Sequence, residues 1–401
     1  MARDAGGHST EAPTRRETIK GGGALVGGGL LAGCAGESGP GGEANGSNNS
    51  SGGNATTASG ENSYEVCMRG ADCIQLDEVP TRYVNTTPNM RGVGIALGQG
   101  DGLIGSVVEG DIYVDGFFEK FHQRFDSSFS LDGVTRTGWI PNKEVLYELD
   151  PGVMFTAPEL LLNHGNWSEN EIKEIEGNVA PFFADHAAQR PFEFEIDYEP
   201  LDLWETFEKV AEVFKQRERF EALAAVRNEL LRDIQTRVPD DTPEVAWVGL
   251  LEDGFYSPLP HLSGHERQSF RDIGGVENAL SVTSRSDRID MEGMLEADPD
   301  YILLYAGYSR TNIGEDIRTI RNDPVGSELS AVQNDRLYRS VDGAAGPLQN
   351  LVDVEMLAKQ LYPDDFGEWP DESPEVGYPE IPEDEQLFDR QRVADIVNGD
   401  F

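Results

Sequence analysis

The chain has 401 residues, with 73 acidic against 32 basic side chains and a formal charge of −41. That length suffices for two or three domains. The charge excludes nucleic acid as a partner, and excludes adhesion to anionic lipid through a basic patch, because both need a cationic surface. Eighteen Phe, five Trp and several continuous apolar runs also exclude a disordered acidic chain. A globular pattern with this much acid points to adaptation to high salt. Near 1 M the screening length falls to about 3 Å, so self-repulsion is largely removed.

At the N-terminus, Thr14-Arg-Arg-Glu-Thr-Ile-Lys precedes a weakly apolar stretch that ends Leu31-Ala-Gly-Cys34. Paired arginines, a short apolar run and a terminal cysteine, in that order, resemble a twin-arginine export signal (1–33) followed by a lipoprotein cleavage box. The stretch is too short to span a bilayer. Processing there would leave Cys34 as a lipidated N-terminus at the outer face of the membrane. Residues 34–63 are Gly, Ser, Asn and Thr with no apolar period, a flexible tether. Its Asn-x-Ser/Thr sites at Asn45, Asn48, Asn49 and Asn54 could carry glycans outside the cell. Cys67 and Cys73 flank what reads as a hairpin turn. An exported location permits a disulfide between them, with two free thiols as the alternative.

A first α/β lobe is expected over 64–198. Residues 81–87 read as a strand, followed by a short helix, a glycine turn and a strand over 103–108. Gly92-x-Gly94-x-x-x-Gly98 lacks the spacing and the following Lys-Ser/Thr of a nucleotide loop. Then comes a stretch that the chain uses twice. Asn142-x-Glu144, Glu148 and Asp150-Pro151 recur at one fixed offset as Asp290-x-Glu292, Glu296 and Asp298-Pro299. In each copy a polar residue can cap a helix and a Glu suits its positive start. Asp-Pro stops the helix, and an apolar run then reads as a strand buried on both faces. After the first of these strands come His164 and Trp167. Loops that follow strands line the ligand crevice of α/β sheets, so both are candidate contacts. The competing reading has Trp167 packing the lobe and His164 capping a helix. Residues 179–183 look like the lobe's last strand.

Residues 199–240 read as a helical connector. Leu203, Phe207, Val210 and Phe214 have helical spacing, and so do Phe220, Leu223, Val226, Leu230 and Ile234 on a second, longer helix. At 1.5 Å per residue the longer helix reaches roughly 30 Å, enough to tie one lobe to the next. The second lobe, 241–362, holds a buried strand over 245–251, the second copy of the repeat, and a strand over 301–305 with Tyr308 and Arg310 in the loop after it. A helix, turn and strand over 323–339 and a helix over 351–361 complete it. Residues 363–401 are an acidic, proline-rich segment with a last helix over 385–397.

These residues together resemble the substrate-binding proteins of ABC importers, in the class handling iron-siderophores, vitamin B12 and haem. The marks are the two Asn/Asp-x-Glu…Asp-Pro copies, Gly274-Gly-x-x-Asn278, and Leu329-x-Ala331-Val…Asn-Asp-Arg-Leu-Tyr338, together with a lipobox and tether of the haloarchaeal twin-arginine type. Gly152 departs from the pattern, which has an Asp there, and residues 111–136 are additional polar sequence. The resemblance implies an α/β fold of two Rossmann-like lobes joined by one long α-helix, with the ligand in the cleft between them. It implies a monomer with no resident cofactor and no catalysis, whose ligand is an iron(III) chelate or a corrinoid. Its partner would be an ABC permease dimer with its ATPase, engaged by Glu144 and Glu292, one on each lobe.

Aromatic side chains suit a flat or chelated ligand, and arginine suits its anionic oxygens. The candidates are therefore the aromatics Trp139, Trp167, Phe255, Tyr256, Tyr305 and Tyr308, with His164, Arg310 and Arg339. Haem or cobalamin is the nearest alternative ligand. Zinc or manganese held by His164, His261 and His265 is another, although the histidines are few. An exported enzyme is the alternative of a different class, but Gly-x-Ser-x-Gly and His-Glu-x-x-His are both absent.

Overall fold

The structure, a computed structural model, describes residues 63–87, 90–107, 116–185, 197–239, 241–258, 265, 267–282, 287–341, 346–370 and 377–401. The signal, Cys34, nearly all of the tether, and His261 lie outside these residues.

A small antiparallel hairpin, β1 (Tyr64–Val66) and β2 (Ile74–Leu76), precedes the first sheet, and Cys67 and Cys73 are bonded across its turn. The first lobe then runs β3 (Tyr83–Asn85), α1 (Arg91–Ala96), β4 (Leu103–Ser106), α2 (Phe117–Gln123), β5 (Thr135–Arg136), α3 (Lys143–Leu149) and β6 (Val153–Phe155). Its last helices are α4 (Pro158–His164) and α5 (Glu169–Asn178). The strands pair in parallel in the order β5-β4-β3-β6. The strand expected over 179–183 reduces to one parallel bridge, Met154 to Phe182. The connector is two helices, α6 (Leu203–Val213) and α7 (Arg217–Arg237), broken where Lys215 adopts φ +51°.

In the second lobe come β7 (Glu244–Leu251), β8 (Gly254–Tyr256), α8 (Gln268–Asp272), β9 (Glu277–Asn278), α9 (Met291–Ala297) and β10 (Tyr301–Leu304). They are followed by α10 (Ile313–Asn322), α11 (Ser330–Gln333), β11 (Leu337–Arg339) and α12 (Pro347–Leu361). Strands β9, β7, β10 and β11 are parallel neighbours, and β8 pairs antiparallel with the end of β7. A short α13 (Pro363–Phe366) and α14 (Arg390–Asn398) end the chain.

The repeated stretch folds the same way twice. Asn142 accepts a hydrogen bond from Val145 N at 2.9 Å, and Asp290 accepts one from Gly293 N at 2.9 Å. Each is an N-cap of the kind that stabilises a helix by about 1 kcal/mol. Each helix buries one residue, Leu146 or Met294, and ends at an Asp in the left-handed region, Asp150 (φ +46°) or Asp298 (φ +36°). Two residues after the proline of each copy, at Val153 or Tyr301, a strand begins that pairs in matching register. Val84 faces Met154 and Met154 bridges to Phe182, while Ala246 faces Ile302 and Ile302 faces Leu337.

Both sheets are covered on two faces, as parallel sheets generally are. Side chains of a strand alternate, so Tyr83, Leu103, Val153 and Phe155 enter one shared core while Val84 and Met154 enter a separate outer cluster. In the second sheet Val245, Trp247, Tyr301 and Leu303 enter the same shared core, and Ala246, Val248, Ile302 and Leu304 enter their own outer cluster. The connector supplies Leu203, Phe207, Leu223, Val226, Leu230 and Ile234 to that middle layer.

Candidate ligand cleft and docking face

The carboxyl ends of the two sheets meet. Helix α1 starts after β3 and helix α12 after β11, and their first turns touch at Gly92 and Gly346. A Cβ on Gly346 would lie 2.8 Å from Gly92 Cα. In such sheets, ligands bind beyond the carboxyl ends of the strands.

On the first lobe these ends carry buried polar groups. Thr86 and Thr156 share a hydrogen bond of 2.8 Å across β3 and β6. The Thr87 hydroxyl donates to Phe155 O at 3.1 Å, and Asn85 Oδ1 accepts from Thr87 N at 2.8 Å. Sequence reasoning missed them, although the signal was there: a polar residue directly after each apolar strand. Trp139 lies in the loop before α3 and is 44% exposed.

On the second lobe, Tyr256 and Tyr305 come together. Both are half-buried, with ring centroids 6.5 Å apart, and Tyr305 packs edge-on to the buried Trp247 at 5.2 Å. Gly249 makes room, because a Cβ there would overlap the Tyr256 ring. The Tyr305–Arg310 loop presses on the end of β11, and a Cβ on Gly307 would lie 2.7 Å from Arg339 Cα. Arg310 sits 3.8 Å from Asp316, whose carboxyl burial pushes up and Arg310 pulls back. The guanidinium groups of Arg339 and of Arg318 each come within 3.6 Å of the place a Gly314 Cβ would take. Arg318, which the sequence reading did not single out, thus joins Arg339 beside the start of α10. A planar guanidinium offers a fork of N–H donors that matches an oxyanion.

Four expected contacts sit elsewhere. Phe255 is 1% exposed in the outer core of the second lobe. Strand alternation sends neighbours to opposite faces, so Phe255 and Tyr256 cannot both meet a ligand. Tyr308 is 5% exposed, stacked on Tyr378 at 4.8 Å and accepting from Trp369 Nε1 at 2.7 Å. It faces the C-terminal segment rather than a cleft. His164 is exposed at the far end of α4, and Trp167 is half-buried against the first lobe's outer cluster. A stretch read as a loop is in fact helix α4, with Pro158 in its first turn.

Of the candidate metal-binding histidines, His164 and His265 are described. His265 is fully buried, bonded to the Thr206 hydroxyl at 2.9 Å, and burial lowers its pKa to about 4. Among the described residues one group of side chains has metal-like spacing, Glu65 with Cys67 and Cys73, and its two sulfurs are in the disulfide.

Glu144 and Glu292 are both exposed, each in the first turn of its helix. On the first lobe a depression of about 450 Å³ lies between the disulfide turn and α4–α5, lined by Asp72, Glu159, Glu176 and Phe182 among others. Burial and the Asp72 charge raise the carboxyl pKa of Glu159 and Glu176. So acidic a wall repels an anion.

The model of a family described as periplasmic binding protein matches residues 135–341. No curated protein matches the chain. Among solved structures, a periplasmic binding protein from Veillonella parvula is similar at 16% identity and TM-score 0.55, covering 75% of this chain and 98% of that one. The iron uptake ABC transporter substrate-binding protein PiuA from Streptococcus pneumoniae is similar at 13% identity and TM-score 0.52, covering 73% and 96%. The triscatecholate siderophore binding protein FeuA from Bacillus subtilis, complexed with ferri-bacillibactin, is similar at 15% identity and TM-score 0.51, covering 74% and 98%. At these identities the likeness is one of fold.

Proposed function

Because the chain belongs to the periplasmic binding protein family, we propose that it is the extracytoplasmic solute-binding lipoprotein of an ABC importer, taking up an iron(III)-siderophore-type chelate. The observation that carries this reading is the matched pair of exposed acids. Glu144 and Glu292 stand in the first turns of two equivalent helices, one beside each sheet. A surface acid needs no second copy in the same register for solvation alone. A partner with two related subunits would engage both.

The solute would sit beyond the strand ends, against Tyr256 and Tyr305 and within reach of Arg310 and Arg339. Arginines in a chain of charge −41 favour a polyanionic chelate over cobalamin. Binding, not catalysis, is the task of such a site. Twin-arginine export and a lipid on Cys34 would hold the protein beside its permease and ATPase.

Two measurements test the reading. A melting-point screen in molar salt, with ferric catecholates, ferric hydroxamates and cobalamin, should show a rise for one class, since a ligand that binds only the folded state stabilises it. No rise with any of them removes the solute assignment. Glu144→Arg with Glu292→Arg should abolish uptake and leave solute affinity unchanged, because exposed ion pairs act mainly in orientation. Lost affinity would mean that the two acids belong to the cleft instead.

A further inference from the structure

Helix α12 presents a physical problem that its own sequence does not solve. All 15 of its residues are buried, yet six are Gln349, Asn350, Asp353, Glu355, Lys359 and Gln360. Buried polar groups without partners are strongly unfavourable. The connector and the neighbouring α8 partner one of the six, Asn350, through Trp204 Nε1 at 2.7 Å and Ser269. Gln360 bonds within its own lobe, to Ser340 and Arg339 O.

The other four are partnered by chain that follows residue 362. Tyr378 donates its hydroxyl to Asp353 at 2.7 Å and accepts from Gln349 at 3.1 Å. Glu355 is fully buried, accepting from Leu387 N at 2.6 Å and paired with Arg390. Lys359 donates to Phe366 O at 2.7 Å. Without this segment, Gln349, Asp353, Glu355 and Lys359 would lose these partners.

The same segment also grips the first lobe and the connector. Arg124, just after α2, donates to Tyr378 O and, at 2.9 Å, to Pro379 O, and it pairs with Glu380 at 3.3 Å. The Tyr378 ring packs on Phe117 and Phe121 of α2 at 5.9 and 5.7 Å while stacking on Tyr308 of the second lobe. Asn398 donates to Phe125 O at 3.4 Å, and Arg392 pairs with Glu229 of α7 at 2.6 Å. The segment's own contact residues, Tyr378 to Asn398, lie beyond 341, where the family match ends.

We propose that the C-terminal segment is an intramolecular brace: by filling the groove between α2 and α12 with Tyr378 and its neighbours, it holds the two lobes at one fixed angle. Two lobes joined only by a connector can hinge about it. Here, beside the connector and the shared core, a further tie runs between them on both sides of the groove. The spacing of Glu144 and Glu292 is then the same with and without a solute, and closure of the cleft is left to local side-chain movement. The brace rests on the fold alone and not on which solute is bound.

The test is the distance between spin labels at Glu148→Cys and Glu296→Cys, two exposed, equivalent positions on α3 and α9. The rest of the chain is intact apart from Cys34→Ser, which leaves the bonded Cys67 and Cys73 unlabelled. The starting protein should give one narrow distance distribution. Arg124→Met with Tyr378→Ala and Asn398→Ala, which removes both the polar ties and the ring contact of the brace with the first lobe, should broaden it and add longer distances. An unchanged narrow distribution in a folded variant overturns the brace and leaves the shared core as what holds the lobes. If that variant does not fold, Arg124→Lys is read in its place with the same two outcomes, since a lysine cannot span both carbonyls. Either result leaves the solute assignment to the melting-point screen.

Discussion

Replacing Gly346 by Ala sets a methyl group against the backbone of Gly92, where α12 meets α1. Its Cβ would lie 2.8 Å from Gly92 Cα and 3.0 Å from Gly92 C. The obstacle is backbone, so no side chain can swing aside, and α1 and α12 must move apart. Gly346 also has φ +139°, a conformation that favours glycine. The backbone strain is worth about 1–3 kcal/mol, and forced separation of packed elements about 1–3 kcal/mol more. A folded unit of this size has an unfolding entropy of about 0.7 kcal/mol per kelvin, so a total of about 2–6 kcal/mol lowers the melting temperature by about 3–8 °C. Gly274→Ala is the control. It has φ +98° with nothing within 4 Å of its Cβ, and so carries the backbone part alone. Both are read by thermal unfolding in molar salt, followed by far-ultraviolet circular dichroism. If Gly346→Ala is no more harmful than Gly274→Ala, the lobes do not touch at Gly92.

Three further outcomes follow from local geometry. Asp150→Gly should leave stability unchanged or raise it by about 0.5 kcal/mol, because glycine relieves the left-handed φ. Asp298→Gly should lower it by about 1 kcal/mol, because the Asp298 carboxylate accepts from Ser330 N at 2.9 Å and Ser330 Oγ at 2.8 Å; urea melts that gave both variants the same sign would contradict this. The buried His122 ring bonds to Phe118 O, and its pKa is lowered to about 4, chiefly by burial. Between about pH 6.5 and 4 the unfolded chain therefore binds a proton that the folded chain refuses, and stability falls as pH falls, by on the order of 3 kcal/mol. In urea melts at pH 7.5 and 4.5, His122→Phe should show a smaller drop than the parent. Reducing the Cys67–Cys73 bond, which closes a short loop, should cost about 2 kcal/mol of unfolding free energy; a melt indifferent to reductant would show the hairpin to be independent of the lobe.

Much of the layout was legible because it is local. A cap, a Glu in the first turn, an Asp-Pro stop and an apolar run each act within a few residues, and the repeat therefore reads as helix and strand in both places. The longer connector helix was legible for the same reason, through Leu223, Val226, Leu230 and Ile234. The site was less legible. Of the expected contacts, the structure brings Tyr256 to Tyr305, and sets Arg339 at the end of β11 with Arg310 in the loop after β10. It withdraws Phe255 and Tyr308 into packing and leaves His164 and Trp167 on the first lobe's outer side.

The amino-acid sequence determined which residues form strands and helices and that two of those units are alike, since propensity, capping and periodicity are properties of neighbours along the chain. Only the tertiary structure decided which face of each element meets water. Phe255 and Tyr256 differ by one step along a strand, and nothing local says which of them the core will take. Gln349, Asp353 and Glu355 of α12 read as solvent-facing until Tyr378, Leu387 and Arg390 arrive from the far end of the chain to cover them. Burial depends on what distant chain packs against a surface, and that is not encoded in any one stretch.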